Sequence, residues 1–363
     1  MSTYTLNPVR PQQSKRKQDK GHNFLPSLNG IRAISIILVV GSHANRSLNF
    51  PEPFSKVWGF LFNGELGVNV FFSLSGFLIT YLLLLEEKTC NTISLKRFYI
   101  RRILRIFPVY YVLLFVYLLL QIKGIFHFSL CQWVSSLTYT KNFGCGAWVD
   151  GHLWSLSVEE QFYLLWPFIF KFFKKKGRKQ FCFSILCLAP LLRIIFYKYG
   201  SSLYRFSFFT NADCLMWGCV AAIYLQNIVQ FIKRKNRFLF PSILCLLIIS
   251  VWYLQNLLLL APLTVPFSKT IYSICASLLI VTLSDINLNL TKTKLFYFLN
   301  SPVMDYIGKL SYSIYIWQQL FFAREASFLN YMPVNIFIIF IVANISFLIV
   351  EKPLLNLKNK FSF

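Results

Sequence analysis

Two ionisable residues sit inside the first long apolar run of the chain, residues 28–46: Arg32 near its start and His43 near its end. They are 11 residues apart, close to three helical turns. A helix would therefore carry both on one face, about 16 Å apart. Arginine is a permanent cation suited to phosphate, and histidine is a base that titrates near neutrality. Within a membrane such groups usually face a cavity or a substrate path. A histidine at the water boundary would instead only anchor the helix, and this stretch alone leaves both readings open.

A second stretch, 152–168, reads His-Leu-Trp-Ser-Leu-Ser-Val-Glu-Glu-Gln-Phe-Tyr-Leu-Leu-Trp-Pro-Phe. Adjacent carboxylates are costly inside a spanning helix. Helical spacing puts His152, Ser155, Glu159 and Tyr163 in one stripe and turns Glu160 away. Glu159 is then the carboxylate that shares a cavity with His152, unless it pairs with a basic residue of a neighbouring helix to fix packing. In a third stretch, 97–108, Arg101, Arg102 and Arg105 crowd together at i, i+3 and i, i+4 spacing. Guanidinium groups bind phosphate in bidentate fashion, although arginines also mark a cytoplasmic boundary without binding anything. Asp213 is a further intramembrane acid, which Arg193 or Arg205 could neutralise.

The elements that must position these residues are membrane helices. Of 363 residues, 56% are hydrophobic and only 14% charged, too apolar for a soluble domain of this size. A net charge of +24 would suit a nucleic-acid binder if the chain were soluble. Here the basic residues lie between apolar runs, as loop charge that orients the protein and meets anionic lipid head groups, so nucleic acid is not an expected partner. Spanning segments are expected at about 30–48, 66–85, 107–122, 153–171, 181–199, 212–232, 239–257, 268–284, 307–325 and 333–350. With the N-terminus inside, 28 of the 37 lysines and arginines fall on the cytoplasmic side. The expected fold is an all-α polytopic membrane protein of about ten transmembrane helices with both termini cytoplasmic.

Residues 1–23 are basic and lack an apolar pattern, as expected of a disordered cytoplasmic tail. The run that follows is long enough to span and lacks a small-residue cleavage site, so it is expected to remain as the first helix. The longest connection, about 123–151, has room for one short interfacial helix and not for a second catalytic domain. Cys131 and Cys145 share it, and an oxidising compartment there would permit a disulfide. His22 and His127 lack ligand partners at metal-binding spacing, and no metal site is expected.

Taken together the motifs resemble a known family. Arg32-x10-His43, Gly-Val-Asn-Val-Phe-Phe-Ser-Leu-Ser-Gly-Phe-Leu at 67–78, Arg102-x-x-Arg105, Trp-Ser-Leu-Ser-Val-Glu-Glu-Gln-Phe-Tyr at 154–163, Gly-Lys-Leu-Ser-Tyr-Ser-Ile-Tyr-Ile-Trp at 308–317 and Glu-Lys-Pro at 351–353 look like acyltransferase family 3, the membrane-bound sugar O-acyltransferases. The resemblance implies one transmembrane acyltransferase domain over 24–356, a short cytoplasmic tail over 357–363 and a bacterial inner-membrane location. It also implies transfer of an acyl group, usually acetyl, from acyl-CoA as donor substrate to a hydroxyl of a sugar, glycan or lipid-linked saccharide, with no tightly bound cofactor.

By position the resemblance makes His43 the catalytic base or transient acyl carrier with Arg32 as its partner. It matches Glu159 to the acidic position of the helix-four motif and links Arg102 and Arg105 to donor binding. Arg32 is expected with them in the acyl-CoA site, and Glu159 is a catalytic carboxylate that would orient His43 or stabilise its imidazolium. His152, Tyr163 and Asp213 are expected on the acceptor side. The chain departs from the family pattern at Asn69, Asn211 and Gln318, which bears on acceptor choice more than on the reaction. The competing class is a proton-coupled secondary transporter, in which intramembrane His, Glu, Asp and Arg form a relay. Such folds often show matching broken helices in two halves, and no paired Gly/Pro interruptions occur here.

Overall fold

The structure, a computed structural model, describes residues 25–47, 54–235, 238–256, 260–284, 288, 293–323 and 334–361. The tail expected over 1–23 lies outside the described residues. Among the described residues there is no strand, and the regular elements are helices. In chain order they are α1 (Leu28–Ser47), α2 (Phe54–Leu61), α3 (Gly64–Cys90), α4 (Leu95–Ile122), α5 (Leu130–Leu137), α6 (Leu153–Phe172), α7 (Lys175–Lys198) and α8 (Leu203–Phe206). There follow α9 (Phe208–Ile223), α10 (Leu225–Arg234), α11 (Leu239–Asn256), α12 (Ala261–Ser284), α13 (Lys294–Leu299), α14 (Pro302–Trp317), α15 (Val334–Ser346) and α16 (Lys352–Lys358). A 3-10 turn, Gln318–Phe322, extends α14, and a π turn, Phe347–Glu351, joins α15 to α16.

Each segment expected to span is mainly helical over its described residues, but not every one is a simple span. Among the described residues six segments are long and apolar enough to cross a membrane: Phe54–Cys90, Leu95–Ile122, Lys175–Lys198, Leu203–Ile223, Thr264–Ser284 and Val334–Lys358. A bent pair formed by α10 and α11 would raise the number to seven. Of the other expected spans, α1 and α6 carry candidate polar residues that lower their apolarity, and α14 is only 16 residues long before its 3-10 extension. The segment expected as one span at 212–232 divides at Tyr224, where α9 ends and a strongly amphipathic α10 begins. The boundary expected at 356 falls inside α16, which runs to Lys358 and packs against α4.

Apolar residues cover much of the outside. Phe115, Phe168, Leu191, Phe337 and Ile349 all point outward from their helices and are exposed, a pattern that costs free energy in water and none in a lipid phase. The chain is an integral membrane protein. Inside, helices meet through small residues. A Cβ on Gly76 of α3 would strike the Leu215 carbonyl, and one on Gly218 of α9 would strike the Ser73 carbonyl. The two backbones therefore touch, and α3 and α9 form a close central pair. Gly308 of α14 meets the Asn29 carbonyl of α1 in the same manner. These contacts lock α1, α3 and α14 at fixed spacing, and with α4 and α6 they enclose the site.

The connection between α4 and α6 is a folded cap. Its one regular helix, α5, is short, as expected, and begins with a capping box between Ser129 and Gln132. Tyr110 and Tyr117 of α4 donate to the carbonyls of Ser136 and Val149, each at 2.7 Å. Lys141 and Asp150 form a buried ion pair, and the Lys141 Nζ also donates to the Gln132 carbonyl at 3.1 Å. Burial pushes the Asp150 carboxyl up and the Lys141 ammonium down, while their mutual attraction opposes both shifts. Cys131 and Cys145 are joined in a disulfide.

Candidate active site

Helix α1 runs unbroken from Leu28 to Ser47, so the three-turn separation of Arg32 and His43 holds. Arg32 lines a cavity of about 460 Å³ that α1 shares with α3, α4, α6 and α14. Arg102 and Arg105 enter it from α4, Glu159 and Tyr163 from α6. Five sequence-nominated residues thus meet in one space. The reason is local: Ser94 caps α4 by accepting from the Arg97 N–H at 3.4 Å, which sets the phase of the arginine face. Helix α6 continues through 155, 159 and 163 without a break, so its polar stripe faces inward as one line.

Glu159 is fully engaged. Its Oε1 accepts from the Ser75 hydroxyl of α3 at 2.8 Å. Its other oxygen, Oε2, lies 3.2 Å from the Tyr163 hydroxyl, which is also 3.0 Å from Ser75 Oγ. The Arg102 guanidinium stands over the Tyr163 ring at 5.2 Å and the Phe98 ring at 5.5 Å. Neither Glu159 nor Glu160 forms an ion pair among the described residues. Arg32, Arg102 and Arg105 likewise have no carboxylate partner there. Three fixed cations facing a cavity without paired anions would repel one another, and an anionic ligand relieves that repulsion. Ser73 and Gly76, neighbours of Ser75 on α3, face α9 instead.

The histidines lie beyond the far end of this space and are not among its lining residues. Between them and the cavity is a hydrogen-bonded pair, Ser155 Oγ and Tyr315 Oη at 2.5 Å, both of which line the cavity wall. Tyr315 Oη also lies 2.7 Å from the His152 carbonyl. The His152 Nε2 donates to the Ile316 carbonyl at 3.1 Å, which fixes the ring's tautomer and leaves Nδ1 as an acceptor. That Nδ1 is buried with no hydrogen-bond partner. Gln319 bridges outward: its Oε1 accepts from the His152 N–H at 3.1 Å, and its Nε2 donates to the Trp148 carbonyl. The Trp148 ring meets His43 edge-on with centroids 5.6 Å apart. His43 and His152 are thereby connected through Trp148 and Gln319.

Asp213 lies elsewhere. On α9 its carboxylate is ion-paired with Arg193 and accepts from Thr270 Oγ1 at 2.7 Å, with no exposure to solvent. It is not among the cavity-lining residues. Tyr315 is a polar site residue that spacing did not nominate, although it sits inside the quoted stretch 308–317. Trp148 and Gln319 had no signal at all, since their roles arise from contacts across the fold.

Fold and site together define a polytopic membrane protein whose helices enclose a cationic, carboxylate-bearing cavity that leads towards the half-buried His43 and the buried His152. Residues 25–350 match the model of an acyltransferase domain, and the chain belongs to that family, acyltransferase family 3. It is 27% identical to the peptidoglycan O-acetyltransferase OatA of Listeria monocytogenes, over 94% of this chain and 57% of that protein. To the O-acetyltransferase OatA of Staphylococcus aureus strain NCTC 8325 it is 29% identical, over 91% of this chain and 57% of that one. A putative O-acetyltransferase of Staphylococcus aureus strain COL is also 29% identical, with 92% and 58% covered. The chain thus spans somewhat over half the length of these relatives. No solved structure matches it.

Proposed function

We propose that the chain moves an acetyl group from acetyl-CoA to a sugar hydroxyl of a cell-wall polysaccharide or its precursor, from a bacterial inner membrane that it crosses ten times with both termini cytoplasmic. The observation that carries this reading is the cavity itself: Arg32, Arg102 and Arg105 converge on it without carboxylate partners, as an acyl-CoA phosphate site requires. The names of the relatives support the acyl group and the acceptor class. The Cys131–Cys145 disulfide supports an outward, oxidising side for the cap and thus the sidedness drawn from charge.

A sugar hydroxyl is a weak nucleophile near neutral pH. His43 takes its proton as the oxygen attacks the thioester carbonyl, the carbon–sulfur bond breaks, and the departing thiolate recovers a proton from the imidazolium. Trp148 holds the His43 ring edge-on. His152 Nδ1, buried and without a partner, accepts a hydrogen bond from another hydroxyl of the acceptor. Glu159, held by Ser75 and Tyr163, offsets part of the arginine charge beside the arm of the donor. For the thioester to reach His43, the Ser155–Tyr315 pair must part.

Purified protein in sealed vesicles of known orientation tests this. Acetyl-CoA is supplied on one face and a muropeptide on the same or the opposite face, and the acetylated product is read by mass spectrometry. Transfer across the membrane supports the reading. Transfer only with both substrates on the cytoplasmic face overturns its sidedness, and no thioester consumption with any sugar acceptor overturns the activity.

A further inference from the structure

The sequence motif Glu-Lys-Pro at 351–353 has no place in the chemistry above, yet it marks an abrupt change in the last described helix. Pro353 has no N–H to give to the helical ladder, and the backbone widens into a π turn, Phe347–Glu351, just before it. Within that turn Glu351 is buried and accepts from the Ser313 hydroxyl of α14. The turn therefore anchors the chain to α14 and sends α16 along α4. At its other end α16 is held again. Arg101 donates through Nη1 to the Phe361 carbonyl at 2.8 Å and through Nη2 to Glu86 Oε2 at 3.2 Å. Glu86 is itself buried in α3 and accepts from the Ser94 N–H at 3.0 Å.

A short helix fixed at both ends carries one residue into the cavity. Lys358 is part of its lining. Its side chain has no hydrogen bond and no ion pair among the described residues. The charges that act on it most strongly are those of Arg105, Arg102, Arg32 and Arg101, all of its own sign. A lysine placed only to mark the cytoplasmic side would extend away from such neighbours into water. Lys358 instead stands half-buried beside them, a placement that is unfavourable until an anion arrives. It also lies beyond the family match, which ends at residue 350.

We propose that Lys358 is a fourth phosphate-binding cation of the donor site, delivered by α16 and set in place by the π turn and the Arg101 clamp. Its ligand is a phosphorylated anion bearing more than one negative charge. The inference rests on the donor reading above and names coenzyme A as that anion, with an anionic lipid head group as the competing source. Arginines hold a phosphate in a fixed bidentate geometry, whereas an ammonium acts as a point charge and tolerates a shift of the ligand. Lys358 is thus suited to the less rigid of the phosphates on a flexible donor.

Calorimetric titration of the full chain in detergent tests the proposal, using coenzyme A, its form lacking the 3′-phosphate, and pantetheine, which has no phosphate. Lys358→Ala is expected to weaken coenzyme A about tenfold and to leave pantetheine unchanged, and Lys358→Arg to restore most of the loss. Thermal melting of each variant reports folding, and Lys358→Gln provides a second neutral replacement of similar length. If the wild-type chain binds coenzyme A and both neutral variants bind it equally well, this inference is overturned while the donor reading stands. If the wild-type chain binds none of the three compounds, the donor reading falls and takes the inference with it. Displacement of coenzyme A by phosphatidylglycerol in the wild type but not in Lys358→Ala would assign the lysine to lipid and overturn the proposal.

Discussion

Two groups of buried charge lie within this bundle, and they are built on opposite terms. Around Asp213 the charges are paired within the protein: its carboxylate meets Arg193 and Thr270, and neighbouring Lys269 donates to the Arg205 carbonyl at 2.7 Å and to Asn211 Oδ1 at 2.9 Å, although Arg193 Nε and Nη1 are buried without a hydrogen-bond partner. None of these residues lines the cavity of the other group, and they tie α7, α9 and α12 together. In the other group Arg32, Arg102, Arg105 and Lys358 line an open volume together with Glu159, and the two further charged residues of its wall are already paired, Asp305 with Lys309 and Arg101 with Glu86. The residue types are the same. What separates a packing device from a ligand site is whether the charges are satisfied by the protein itself.

That contrast can be broken or sharpened by substitution. The largest effect is expected at neither cluster but at His43, the residue proposed as the base. His43→Ala should lower the rate of acetyl transfer by about 10²–10⁴-fold, with the melting temperature in detergent unchanged, because a general base acts on the barrier and not on packing. Asp213→Ala should do the reverse. Leaving Arg193 buried without its partner should cost about 3–5 kcal/mol of stability, read as a fall in melting temperature, and replacing both members with apolar residues should recover much of it. An Asp213→Ala protein that melts like the wild type would mean that the closed cluster is not structural.

Arg102→Ala combined with Arg105→Ala should raise the donor KM by at least about tenfold, since each charge-assisted hydrogen bond contributes about 1.5–3 kcal/mol. Stability should not fall, because mutual repulsion is relieved. Steady-state kinetics and melting on the same preparation check both halves. The smallest effect is expected at Tyr163→Phe, which removes one hydroxyl from the Glu159–Ser75 triangle. A change of about 1 kcal/mol, a few-fold in kcat/KM, is the outcome to measure. A loss as large as that of His43→Ala would place Tyr163 in the chemistry itself.

Periodicity made much of the open cluster legible in the sequence. Arg32 and His43 on one face, the inward stripe of Ser155, Glu159 and Tyr163, and the crowding of Arg102 with Arg105 all follow from 3.6 residues per turn. The short helix in the connection between α4 and α6 and the Cys131–Cys145 pair were legible for similar local reasons. What was not legible depends on contacts between distant segments. Nothing near Lys358 in sequence says that a π turn and Arg101 will swing it into the cavity. The Ser155–Tyr315 pair that parts cavity from histidines joins residues 160 apart in the chain. Asp213 looked like Glu159 in sequence, an acid in an apolar helix, and only Arg193 on a neighbouring helix distinguishes it. Tyr224 divided an expected span because α9 is buried against α3 whereas α10 is amphipathic, and hydropathy alone reads the two as one run.

The most direct measurement is binding of coenzyme A to the purified full chain, compared among the wild type, Arg102→Ala with Arg105→Ala, and His43→Ala. The open, unpaired cluster is predicted to bind the phosphates, so the double arginine variant should lose most of its affinity while His43→Ala binds like the wild type. Equal binding by the wild type and the double arginine variant would contradict the account, because the cavity's unpaired charge would then have no part in holding the donor.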